Sequence, residues 1–269
     1  MRKAVGIICA IIIVLTVIIA AGHAASLKIE TEEIDLAAGA SGVRILQVSD
    51  AHFPRCFLSA SELSALIASQ KPDCIVFTGD VADGEATKDD VAALKDFFLA
   101  SSALCPCFLV IGNHEIGSDQ LDFFVETARK CGITVLLNEI VTKKIKNIDF
   151  AFIGLSDGYL YEEKTFVSLP SLAGKRKILL SHRPEKFETY ASAPASIKPD
   201  VVFSGHAHGG LFRMGNSALY APNQGLFPKY TSGLYEKNSV KMIVSRGLGV
   251  SGVDFRCFNK YHLPVVTIS

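Results

Sequence analysis

The ten residues VRILQVSDAH, Val43 to His52, decide how this chain folds. Val43 to Ser49 is a short apolar run of strand length, and it ends on Asp50 and His52, two residues suited to chemistry. Downstream, Ser59 and Glu62 form a capping-box signature for a helix running to about Gln70. The same unit then recurs. Cys74 to Thr78 is a second predicted strand running into Gly79-Asp80, and Asp89 to Ser101 has helical periodicity through Val91, Leu94, Phe97 and Phe98. Phe108 to Ile111 leads into Gly112-Asn113-His114-Glu115, after which Ser118 to Lys130 reads as a helix closed by Gly132. In each unit the polar block follows a strand's carboxyl end, where open α/β sheets gather ligand-binding loops in one crevice.

The second half is richer in strands. Val135 to Leu137, Ile148 to Leu155, Lys177 to Ser181, Val201 to Ser204, Ala218 to Tyr220, Met242 to Ser245 and Leu263 to Ile268 are candidates, with few helices between them. The expected fold class is therefore α/β: a four-layer α-β-β-α sandwich of two mixed sheets flanked by helices, preceded by a transmembrane helix. Lys28 to Ile34 is a candidate edge strand, and Gly158 to Pro170 and Pro222 to Gly233 read as long loops that shape substrate access.

Five blocks carry the chemistry: Asp50-Ala51-His52, Gly79-Asp80-Val81-Ala82-Asp83, Gly112-Asn113-His114-Glu115, Ser181-His182 and Gly205-His206-Ala207-His208-Gly209-Gly210. Taken singly, an Asp after a strand is an ordinary turn residue or helix cap, and a lone His such as His182 is an ordinary hydrogen-bonded side chain. Together they offer Asp, His and Asn donors without thiolates, a mixture suited to manganese, iron or zinc rather than to a structural zinc site or a calcium cage. Two such ions can acidify a water and clamp the oxygens of an in-line phosphoryl displacement.

The five blocks resemble the calcineurin-like metallophosphoesterases, whose pattern is Asp-x-His, Gly-Asp-x-x-Asp, Gly-Asn-His-Glu/Asp, a lone His and Gly-His-x-His. The match spans Leu46 to Gly210 in order, and segments 228–235 and 244–249 resemble a membrane-associated bacterial phosphodiesterase branch of that family. The resemblance implies that Asp50, His52 and His208 bind one divalent metal ion, that Asn113, His182 and His206 bind a second, and that Asp80 bridges the two. It implies catalytic roles for His114, a non-ligand imidazole assisting the leaving group, and for Asp83, the carboxylate that orients it. A bridging hydroxide would attack phosphorus. Leu211 departs from a Gln common after the double glycine of this branch, which removes a side-chain substrate contact and leaves metal binding untouched. His23 and His262 fall outside every block and are expected not to be ligands, and Arg183 is expected to form a surface ion pair.

The implied activity is hydrolysis of a phosphodiester or pyrophosphate, on a lipid-linked substrate such as UDP-2,3-diacylglucosamine. Phosphomonoester hydrolysis is the alternative, and a metal-stabilised non-catalytic scaffold is disfavoured by the presence of both His114 and Asp83.

The leader sets the location. Arg2 and Lys3 precede an uncharged apolar run from Ala4 to Gly22, close to the ~20 residues that cross a bilayer as a helix. The run is longer than the usual signal-peptide core of about 7 to 15 residues. That favours an uncleaved single-pass anchor over residues 1–25 rather than a cleaved signal ending near Ala25, with a phosphoesterase domain over 26–269. The basic N-terminus favours an extracytoplasmic domain. Lys plus Arg and Asp plus Glu number 27 each, so no basic field marks a nucleic-acid partner; the expected partners are a phosphoester substrate and the membrane. The seven cysteines show no zinc-ribbon or disulfide-scaffold spacing, and most read as small core residues.

Overall fold

Strict alternation along short apolar strands produces two sheets with three apolar layers. The computed structural model describes residues 2–37, 42–166, 170–250, 252 and 255–269. It begins with helix α1 (Arg2–Ser26), then β1 (Ile29–Asp35), β2 (Val43–Val48), α2 (Ala60–Ser69), β3 (Cys74–Thr78), α3 (Lys88–Leu104) and β4 (Cys107–Val110). Next come α4 (Asn113–Ile116), α5 (Leu121–Lys130), β5 (Thr134–Val135), β6 (Ile140–Ile145), β7 (Ile148–Leu155), β8 (Arg176–Ser181), α6 (Phe187–Ala191) and β9 (Val201–Ser204). Two small hairpins follow, β10 (Arg213–Met214) with β11 (Ser217–Ala218) and β12 (Tyr220–Ala221) with β13 (Gly225–Leu226). The chain closes with β14 (Gly233–Lys237), β15 (Val240–Val244) and β16 (Tyr261–Ile268).

One six-stranded sheet runs β1-β16-β2-β3-β4-β5 and the other β14-β15-β9-β8-β7-β6. In the first, β2 to β5 are parallel and β16 is antiparallel to β2; in the second, β7, β8, β9 and β15 are parallel with antiparallel strands at both edges. Both sheets are mixed, as the sequence predicts, and the candidate edge strand is β1, paired in parallel with β16.

The period of two decides which residue goes where. Ile45, Val76 and Phe108 of the first sheet face Phe152, Leu180 and Phe203 of the second in the middle layer, with the Phe108 and Phe152 rings stacked 3.8 Å apart. Their neighbours Leu46, Ile75, Phe77 and Leu109 point outward onto Leu63 and Ile67 of α2, Phe97 and Phe98 of α3 and Phe124 of α5. Each fully buried side chain of this size contributes about 1.5–3 kcal/mol. The opposite outer layer is thinner: Ile153, Leu179 and Val202 are covered by Phe187 and Tyr190 from α6 and by loop residues such as Tyr161 and Ile197.

Local signals set the helix ends. Ser59 and Glu62 cap α2 reciprocally, as the sequence predicts, and Thr87 with Asp90 does the same for α3, starting it one residue before the expected Asp89. The helix expected from Ser118 begins at Leu121, because α4 first forms a separate turn at the Gly-Asn-His-Glu block. The strand expected at Ala218 to Tyr220 is instead the junction of the two hairpins. Of the predicted loop from Gly158 to Pro170, residues 167–169 lie outside the described residues.

Helix α1 is long and apolar enough to cross a membrane: its segment Val5–Ser26 contains an 18-residue stretch with a mean hydropathy of 3.0. Its residues 5–21 are exposed, but its last turns dock on residues 255–259. Gly22 O accepts from Phe258 N at 2.9 Å, Ser26 Oγ from Asn259 N at 2.8 Å, and His23 Nδ1 lies 3.0 Å from Arg256 O. Gly22 permits this approach, since a Cβ there would stand 2.4 Å from Cys257 Sγ and 2.7 Å from the Phe258 ring. None of the seven cysteines forms a disulfide.

Candidate metal centre

Every polar block singled out in the sequence follows the carboxyl end of a parallel strand: Asp50 and His52 after β2, Asp80 and Asp83 after β3, Asn113 and His114 after β4, His182 after β8, and His206 and His208 after β9. The two sheets bring these ends together. Gln47 ties the sheets just beneath the site by donating from Nε2 to Thr78 Oγ1 at 2.9 Å and to Ser204 O at 2.8 Å. Turning side chains inward this abruptly demands unusual backbone: Asp50, His52, Asp80, His206 and His208 all have φ between 47° and 63°. Such left-handed conformations cost a non-glycine residue roughly 1–2 kcal/mol each and concentrate at functional sites. Gly205 allows one close approach, since a Cβ there would stand 2.2 Å from Asp50 Oδ2.

The donors form overlapping groups whose ligand atoms lie within 4.8 Å of one another: Asp50 with His52 and His208, Asp80 with His182 and His206, and His52 with Asp80 and His114. In the first, His52 Nε2 is 3.2 Å from His208 Nε2, which is 3.4 Å from Asp50 Oδ1. In the second, His182 Nε2 is 3.1 Å from Asp80 Oδ2, 3.2 Å from His206 Nδ1 and 3.1 Å from Asn113 Oδ1. Asp80 Oδ2 also lies 3.8 Å from His52 Nε2, linking the two groups. All seven sequence-predicted ligands thus converge, most of them fully buried.

Electrostatics matches that arrangement. Burial opposes ionisation of Asp80, but His182, then His52 and His114, outweigh it and hold the carboxyl below its ordinary range. Burial opposes charge on His182 too, yet Asp80 and Asp50 push it up to about 10. His206 is lowered to about 3 and His208 well below its usual value, in both cases chiefly by burial. The carboxylates therefore draw positive charge to the centre while His206 and His208 stay neutral, the form in which imidazole ligates. His182 Nδ1 lies 2.8 Å from Thr78 O, a contact that aims Nε2 into the centre and resembles the outer hydrogen bonds that orient metal-bound histidines. The residues present fit a pair of divalent cations of the manganese, iron or zinc type.

His114 and Asp83 sit beside this centre in an arrangement that differs in detail from the expectation. His114 Nδ1 accepts from the Gly84 N–H at 3.0 Å, whereas Asp83 Oδ2 is 3.9 Å from His114 Nδ1 and closer, 3.4 Å, to His52 Nδ1. The backbone N–H approaches the His114 nitrogen more closely because Gly84 follows directly on the Asp83 turn. Interaction with His52 is the main reason that Asp83 is held down to about 2. With Nδ1 accepting, a neutral His114 carries its proton on Nε2.

Glu115 closes the third block, but its role could not be read from the sequence. Its buried carboxylate accepts four backbone N–H groups, from Asp80 at 2.8 Å, Val81 at 2.6 Å, Ala82 at 3.0 Å and Gly112 at 2.9 Å, and so staples the loop after β3 to the loop after β4. The sequence signal for it was its place in the Gly-Asn-His-Glu block, where an acid in the first turn of a helix otherwise reads as routine capping. Arg183 does form an ion pair, a fork on Asp157 with Nη2 2.7 Å from Oδ2, but at the site: its Nη1 is 3.4 Å from His206 Nε2. His23 and His262 belong to none of these groups; His262 Nε2 lies 2.8 Å from Glu32.

A cavity of about 440 Å³ opens over the centre, lined by Asp80, Asn113, His114, Arg183, His206 and His208 on its floor and by Leu211, Tyr220, Phe255 and Arg256 on its walls. Its volume suits a small-molecule headgroup.

Comparison with known proteins agrees with this geometry. Residues 43–210 match the model of the calcineurin-like phosphoesterases. A metallophosphoesterase of Aquifex aeolicus is 30% identical, with 89% of each chain covered. The phosphodiesterase YaeI of Escherichia coli is 28% identical over 81% of this chain and 80% of its own. The UDP-2,3-diacylglucosamine pyrophosphatase LpxG of Chlamydia trachomatis is 26% identical over 77% of this chain and 78% of its own. With a centre suited to two divalent cations and a family match over most of its length, the chain belongs to the calcineurin-like phosphoesterases and is a metal-dependent phosphoesterase.

Proposed function

We propose that this chain hydrolyses a phosphodiester or pyrophosphate bond in a lipid-linked substrate, of which UDP-2,3-diacylglucosamine is the type, from an anchored position on the outer face of a membrane. In this reading Asp50, His52 and His208 hold one cation, Asn113, His182 and His206 the other, and Asp80 both. Two divalent ions bound there would supply a nucleophilic oxygen at neutral pH and neutralise charge on the phosphoryl group. Arg183, fixed by Asp157, orients a phosphate oxygen by hydrogen bonding. His114 donates a hydrogen bond from Nε2 to the departing oxygen and so stabilises the negative charge that develops there. Glu115 keeps the loops of Asp80 and Asn113 in register.

The observation that carries the reading is the His114 ring on the cavity floor, within the same group as His52 and Asp80 and with its Nδ1 already occupied by Gly84 N–H. A site built only to hold metal has no need of it. Two features favour a lipid-linked substrate: the likeness to LpxG, and the docking of α1, whose Gly22 contact with Phe258 a cleavage after Ala25 would sever. The lipid-linked reading is tested by incubating the full chain, loaded in turn with manganese, zinc and iron, with UDP-2,3-diacylglucosamine in mixed micelles, with bis(p-nitrophenyl) phosphate and with p-nitrophenyl phosphate. Cleavage of the first at its pyrophosphate, with the diester preferred to the monoester, is expected. Turnover confined to the monoester overturns the reading in favour of a phosphatase.

A further inference from the structure

The loops flanking the cavity expose more apolar surface than a soluble rim requires. Phe227 is 77% exposed, Met214 73%, Leu226 67%, Leu219 47% and Phe258 45%. They are neighbours. Leu219 N donates to Phe212 O and Phe227 N to Leu219 O, both at 2.9 Å; the Phe212 and Phe258 rings meet edge to face. Leu226 pairs with Tyr220 across the β12–β13 hairpin, and Met214 belongs to the adjoining β10–β11 hairpin. Exposed aromatic side chains here come at a conformational cost, since Phe227 and Phe258 hold φ of 53° and 52°, a region that bulky residues avoid. An outlier of this kind persists where the surrounding structure imposes it, and it recurs at ligand clamps and switch regions.

The rim is continuous with the end of α1. Gly22 of the helix packs under the Phe258 ring and its carbonyl accepts the Phe258 N–H. Upstream of that contact the described side chains of α1 are exposed, with Val5, Ile8, Ile12 and Leu15 all more than half so. If lipid covers the helix, residues 255–259 stand where the bilayer surface meets the domain, and the apolar hairpins lie at the same level. The same elements wall the cavity, through Tyr220 on the hairpin and Phe255 and Arg256 beside the helix end.

We propose that the two hairpins and Phe258 form a second membrane contact that rests in the lipid surface and holds the mouth of the metal centre open to it, so that a lipid-linked phosphoester enters from the bilayer without leaving it. The partner is the bilayer itself, by continuity with α1. This rests on the reading of α1 as an uncleaved anchor. Apolar and aromatic side chains of an interfacial element sit about 5–10 Å into the headgroup and acyl boundary, and aromatic rings favour that level.

The chain contains no Trp, so a single reporter is unambiguous. The full-length chain carrying Phe227→Trp would be reconstituted into phosphatidylcholine and phosphatidylglycerol vesicles, with acyl-brominated lipid as quencher and Leu104→Trp as reference. Leu104 is exposed at the end of α3 that feeds the amino end of β4, remote from the cavity. Blue-shifted emission with about twofold or greater quenching is expected at position 227, and water-like emission at position 104. The double variant Leu226→Asp, Phe227→Asp should cut turnover of a vesicle-borne lipid-linked nucleoside diphosphate by about tenfold or more while leaving bis(p-nitrophenyl) phosphate hydrolysis unchanged. Quenching at 227 with no lipid-linked substrate cleaved supports the membrane contact and defeats the substrate reading alone. Unquenched, water-like emission from a chain that floats with the vesicles overturns the membrane contact and leaves the substrate reading standing. Failure of the chain to float overturns the anchor and this proposal together.

Discussion

Replacing Glu115 by Gln tests whether the metal centre depends on the carboxylate staple beneath it. The two oxygens of Glu115 accept four backbone N–H groups from two loops. Gln keeps one carbonyl oxygen, enough for two of them, and turns an NH2 group toward the other two. Two charge-assisted hydrogen bonds, worth roughly 1.5–3 kcal/mol each, are lost. Part of this is returned, because burial, with Asp80 second, pushes the Glu115 carboxyl up to about 7, so the charged form is itself costly to keep. The lower end, about 3 kcal/mol, is the expected net loss. For a chain of this size that lowers Tm by about 6–12 °C. The measurement is thermal unfolding at pH 8, where the carboxylate is ionised, with metal content determined after dialysis. Gln should melt earlier and retain less metal, because Asp80 and Asn113 lie on the two loops that the staple joins; Ala, which orphans all four donors, should be worse. A Tm within about 2 °C of the parent and undiminished metal would refute the reasoning.

Three further outcomes follow from the same geometry. Asp80→Asn should reduce metal content and activity together, whereas His114→Ala should keep both metals and lose about 10²–10⁴ in kcat; undiminished turnover in the latter removes His114 from the chemistry. Arg183→Gln, read by steady-state kinetics, should raise KM for an anionic phosphodiester about tenfold with kcat within about threefold, since it removes a phosphate contact and no cation ligand. The Glu32 and His262 pair should make the fold acid-sensitive. Glu32 is lowered, chiefly by His262, so its contribution is present above the usual carboxylate value and lost as pH falls through the depressed one; His262 is lowered, chiefly by burial, so its protonation below its usual value also favours unfolding. Glu32→Gln should flatten the loss of Tm below about pH 4.5, where Glu32 takes up its proton. An unchanged acid limb would count against the pair.

What was readable in the sequence follows from range. Strands such as Cys74–Thr78 and Val201–Ser204 are continuous apolar runs, and the polar residue that ends each run marks the carboxyl edge of a parallel strand whatever the rest of the chain does. That is why Asp50, Asp80, Asn113, His182, His206 and His208 could be placed together from spacing and resemblance. The edge strand β6 was missed because Thr142, Lys143 and Lys144 are exposed and break the apolar pattern. Glu115 and Asp157 were missed for a different reason. The first acts on Asp80, 35 residues away, and the second on Arg183, 26 residues away, and no local pattern announces either partner. The docking of α1 was equally invisible, because an apolar leader reads the same whether or not its last turn packs on the domain.

The account stands or falls on two cations working at one centre. Metal content by plasma mass spectrometry and hydrolysis of bis(p-nitrophenyl) phosphate would be followed together as the stripped full-length chain is titrated with manganese. Activity should be absent from the stripped chain, rise with metal and saturate near two ions per chain. Full hydrolysis by the stripped chain, or none by a chain holding two ions, would contradict it.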